Sequence, residues 1–165
     1  MTATIDTTLP YVYETPVSRA FTLLLDRLSD LIHLEHEDIP HGSRENSAER
    51  TDHLATARFA VLSAAQNIVE TPAEHVLDGP LHRLATLCEL QITLDCPDER
   101  ADLYATVMDN FDLFEISGMS AMDRHVRNIQ RVFFTHYSEL VAGGSMTATV
   151  DPGIYHSGAP EAIPA

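Results

Sequence analysis

Prolines in this chain stand where helices begin, and that placement constrains the fold more than any other feature. Thr15 precedes Pro16, Thr71 precedes Pro72, Gly79 precedes Pro80 and Cys96 precedes Pro97. Proline suits the first helical position because its missing N–H would have had no partner there. Two starts also place an acid three residues after a hydroxyl, Thr71 with Glu74 and Ser120 with Asp123, a pairing in which each side chain satisfies a free backbone donor of the other residue. Asn46 with Glu49 is a weaker copy. Pro40, Gly42, Pro72, Gly79, Pro97, Gly118 and Gly143-Gly144 end the runs. The spacing predicts helices over 16–38, 47–70, a short 72–78, then 80–95, 97–117 and 121–142. The expected fold is all-α, an antiparallel helical bundle of five main helices and one short one. A single domain covers 15–142, with an N-terminal arm over 1–14 and a flexible C-terminal tail over 143–165.

Apolar residues recur with the matching period. Val17, Phe21, Leu24, Leu28 and Leu31 share one face of the first helix, while Asp26, Asp30, His33 and Glu37 share the other. The run 80–95 is apolar on two sides, with Leu81, Leu84, Cys88 and Ile92 on one and Leu87, Leu90 and Leu94 on the other. Such a helix belongs in the centre, or its second face is a dimer seam. In 97–117, Leu103, Tyr104, Val107, Phe111 and Phe114 point inward and Asp98, Asp102, Asp109 and Asp112 point to water.

Charge narrows the function. Twenty-five acids face ten basic residues, all of them arginine, for a net charge of −15 with histidine neutral. Without lysine there is no Schiff base, no pyridoxal-phosphate anchor and no phosphate-loop or kinase lysine. The negative field disfavours nucleic acid and anionic membranes, whose affinity rests on clustered Lys or Arg. Apolar runs of about four residues fall far short of the roughly 20 that cross a bilayer, and the N-terminus lacks a signal-peptide pattern. A cytoplasmic location is expected, with Cys88 and Cys96 as reduced thiols.

Three groups of residues carry candidate chemistry. Asp30, His33, His36, Glu37 and His41 mix imidazole and carboxylate at the end of the first helix, a donor set suited to Zn, Mn or Fe; on the wet side of that helix they equally describe a solvated polar end. The chain contains no Glu-x-x-His of the di-iron bundle type. His125 and His136 project toward the apolar stripe of the last helix, about 16 Å apart along its axis, too far to share one ion; they are pocket candidates or hydrogen-bonded core histidines. Arg124, Arg127 and Arg131 form a basic row at i, i+3 and i+7 on the opposite side, fit for an anionic ligand, a partner or neighbouring carboxylates. No G-x-S-x-G and no glycine-rich phosphate loop occurs.

The leading expectation is therefore a non-enzymatic, cytoplasmic interaction or regulatory protein with a protein partner or self-association, and no cofactor. The first alternative is a bundle that binds a divalent metal through the His and carboxylate group. A weaker one is an acidic decoy that mimics nucleic acid through the aspartates of 97–117.

Overall fold

A computed structural model describes residues 14–36 and 44–145. These residues form α1 (Pro16–His36), α2 (Arg44–Glu70), α3 (Asp78–Thr93), α4 (Pro97–Asp109), a 3-10 turn (Phe111–Phe114) and α5 (Ala121–Ser145). No strand occurs among them, and none of their helices is long and apolar enough to cross a membrane. The fold is an all-α bundle of five helices. The predicted arm, apart from Glu14, most of the predicted tail, and the candidates Glu37 and His41 lie outside the described residues.

Successive helices alternate in direction. Arg50 of α2 donates to the Leu34 carbonyl at 2.9 Å and Arg58 pairs with Glu35 at 2.9 Å, so the start of α2 lies beside the end of α1. At the opposite end, Thr15 before α1 meets Asp78 at the start of α3. Tyr104 packs on Tyr137 and Phe111 on Phe134, which runs α4 antiparallel to α5.

The core lies among α1, α2, α3 and α5. Phe21, Leu24, Leu28 and Leu31 of α1 are sealed against Val61 and Ile68 of α2, Leu81 and Leu84 of α3, and Phe133 of α5. Burying a side chain of this size is worth about 1.5–3 kcal/mol relative to leaving it exposed. α3 is central, as its two apolar sides imply. Its second face is nearly closed, with Leu87 buried, Leu94 half-buried and Leu90 alone left about half exposed.

Several boundaries differ from the sequence expectation. The segment 72–77 is not helical: Glu74 does not return to cap Thr71, and the Glu74 and His75 N–H groups donate instead to the Asp78 carboxylate at 2.8 and 2.9 Å. α3 then starts at Asp78, with Pro80 still inside the first turn, where backbone N–H groups lack helical partners. The run 97–117 breaks after Asp109, where the Asn110 side chain donates to the Thr106 carbonyl at 2.7 Å and closes the helix. The one short helix is therefore the 3-10 turn, not 72–78. α2 begins at Arg44, so Asn46 lies within the helix, and α5 continues through Gly143-Gly144 to Ser145.

Candidate functional site

The early end of α4 shapes a groove beside α5. Residues 115–120 lie outside any helix, and side chains of the next helix donate to carbonyls of this stretch and of the 3-10 turn before it. Arg127 donates to the Gly118 carbonyl, Arg124 to Met119 at 3.1 Å, and Gln130 to Phe114. Arg83 of α3 reaches Leu113 at 3.4 Å. The basic row thus clasps a loop, and no ion pair from Arg124, Arg127 or Arg131 to a carboxylate is present among the described residues. Each guanidinium has five donors in a fixed fork, so most stay available to another acceptor. The Ser120 and Asp123 pairing forms as expected, with Ser120 N–H donating to the carboxylate at 2.7 Å and Asp123 N–H to the hydroxyl at 3.0 Å. The Ser120 hydroxyl and N–H hold the Asp123 carboxyl below its ordinary range. A Cβ on Gly118 would collide with that carboxylate, so a larger residue there would displace Asp123 from its cap.

Between α4 and α5 this loop closes one end of an open groove of about 850 Å³. Met108, Phe111 and Met119 form its apolar wall with Phe134, and Arg127 and Arg131 stand on its α5 edge. Met119 is 87% exposed and Phe111 41%, although both are side chains that a self-contained core would cover. Arg127, Arg131 and Thr135 follow at i, i+4 and i+8, so the edge runs along one side of α5. Neither the groove nor its methionines stood out in the sequence. The signal that was present is Met108, Phe111 and Met119 around a helix break, seen only once the break is placed.

The metal candidates are dispersed. Asp30 and His33 line a second groove of about 510 Å³ between α1 and α2, joined by His53, which the sequence did not single out, and by Arg27. Asp30 is paired with Arg27 at 3.7 Å, and both His33 and His36 are exposed. Among the described residues no group of three or more His, Cys, Asp or Glu side chains is placed to hold a metal ion.

His125 and His136 are half-buried on α5. His136 Nδ1 lies 3.3 Å from Glu139 Oε2, while Nε2 of His125 is buried without a hydrogen bond. Neither lines the two grooves. Cys88 is buried and Cys96 exposed, both as free thiols; burial first, and the neighbouring Glu89 charge second, push the Cys88 thiol up to about 12.

One buried polar centre escaped the sequence entirely. Asp78 is fully buried and accepts from the Thr15 hydroxyl at 2.6 Å in addition to the two N–H groups. Thr15 in turn accepts from Ser18 N–H at 3.0 Å as the cap of α1. The carboxylate therefore sits at the N-terminal ends of both α1 and α3, where the helix dipoles favour negative charge. It is a structural clasp with both carboxylate oxygens engaged. The chain matches no family model, no curated protein and no solved structure.

Proposed function

We propose that this protein is a non-enzymatic interaction module, cytoplasmic in location, whose protein partner docks on the face formed by α4, the 3-10 turn and α5. The single observation that carries this reading is the groove itself. It combines exposed methionine and phenylalanine with an arginine edge, the residue types enriched at interfaces. Methionine adapts its shape to a partner at little cost in strain.

Site-specific photocrosslinking in cells tests it. A benzoylphenylalanine at position 111 is expected to give a discrete protein adduct, while the same probe at Gln66, exposed on α2, gives none. Equal labelling at both positions, or none at 111, contradicts the docking face.

A further inference from the structure

We infer that the occupant of this face is a second copy of the same chain, an inference that rests on the docking-face reading above. The surface around the groove is ordered in three parallel strips. On α5 the pitch of the helix sets Arg124, Arg127 and Arg131 on the side of the groove away from the core, and all three are exposed. The apolar strip of Met108, Phe111 and Phe134 runs down the middle. On α4 the same pitch turns Asp98, Asp102 and Asp109 past the groove to its far flank, again exposed, and the exposed Asp112 follows in the 3-10 turn. One edge is basic, the other acidic, and the centre is apolar.

A face striped in this way is complementary to itself. A two-fold axis lying in the face and parallel to α4 and α5 lays the basic edge of one copy on the acidic edge of the other, and apolar strip on apolar strip. A two-fold across the helices sets acid against acid, so the charge order selects one of the two symmetric pairings. The register also agrees. Because α4 runs antiparallel to α5, with Tyr104 on Tyr137, Phe111 on Phe134 and Gln130 donating to the Phe114 carbonyl, the 3-10 turn after α4 lies level with residues 130–134 of α5. An axis along the helices preserves that level, so Arg131 meets the partner's Asp112, with the partner's Asp109 one turn further along and Arg127 at the loop end of the same seam. The contact is isologous, made twice. It also answers how a chain of net charge −15 can associate with its own kind: a row of arginines on an otherwise acidic protein faces an acidic edge of the approaching copy.

Sedimentation velocity on the full chain across a concentration series, with a charge exchange, tests the inference. The wild type is expected to show a reversible monomer–dimer equilibrium. Arg127→Glu/Arg131→Glu, and separately Asp109→Arg/Asp112→Arg, are each expected to weaken it by roughly tenfold or more, since both place like charges opposite one another. Mixing the two variants is expected to restore the dimer, because each then carries the edge that the other lacks. Met108→Glu, which touches none of the loop carbonyl contacts, is expected to weaken the dimer alike and serves as a second handle if the Arg127 change disturbs the loop. A wild type that stays monomeric throughout, or variants that do not re-pair on mixing, overturns the inference. The crosslinking adduct at position 111 separates the two levels: an adduct of twice the chain mass supports the second copy, whereas an adduct of any other mass leaves the docking face standing and removes self-association.

Discussion

α3 and α4 are consecutive helices of similar length, yet eight of the sixteen residues of α3 are buried and one of the thirteen of α4, Val107. α3 is enclosed by α1, α2 and α5, while α4 and the 3-10 turn lean on α5 with Tyr104 half-buried and Phe111 exposed. The difference separates two roles. One region gains its stability from burial, and the other leaves apolar surface open beside charged edges, an arrangement that costs stability in the free chain and is useful only if something covers it.

The sharpest way to break this contrast is by truncation on each side. Phe133→Ala, in the sealed core between Phe21 and Tyr137, is expected to lose about 3–5 kcal/mol in urea unfolding. Phe111→Ala at protein concentrations too low for association is expected to lose under ~1 kcal/mol, because its ring is already 41% exposed. Equal losses would mean that α4 belongs to the core. Next in size is the buried clasp: Asp78→Ala strands the Thr15 hydroxyl and two N–H groups and is expected to cost about 2–4 kcal/mol. Asp78→Asn, which keeps one acceptor oxygen, is expected to cost less, and a ranking with Asn worse than Ala would refute the clasp.

Smaller effects come from titration. The Cys88 thiol is pushed up to about 12 when folded, against 9.0 for the ordinary thiol. The folded chain therefore retains a proton that the unfolded chain releases, so this contribution is complete below pH 9 and is lost as pH rises toward 12. Tyr137, raised mainly by burial, adds in the same direction. Cys88→Ala is expected to flatten the alkaline fall in stability, and a fall of unchanged steepness would contradict the assignment. A disulfide reagent is expected to label Cys96 at once and Cys88 only on unfolding. The smallest effect belongs to the α4 side: Asp123 has a lowered pKa, so its cap holds above the ordinary carboxylate value and is lost as pH falls through the lower, folded one. Asp123→Asn is expected to remove that acid step without changing the core transition, as followed by thermal melts at pH 3 to 6.

How far the sequence reached depends on the range of each interaction. Thr15-Pro16, Cys96-Pro97 and Ser120 with Asp123 were legible because a cap and its partners lie within one turn. Leu81, Leu84 and Cys88 were placed correctly by period alone. Asp78 was not legible, since its decisive partner Thr15 lies 63 residues away and the local Thr71 and Glu74 pattern offered a competing cap. The break after Asp109 was missed because Phe111 and Phe114 continue the helical period through a 3-10 turn. With that break went the groove, and with it the role of Arg124 and Arg127 in holding loop carbonyls, for which spacing along α5 carries no sign.

Amide hydrogen exchange on dilute protein tests the division most directly. The account predicts that amides of α4 exchange through local opening well below the global unfolding free energy while those of α3 exchange only on global unfolding, and that α4 gains protection as concentration rises. Amides of α3 and α4 exchanging together, unaffected by concentration, would contradict it.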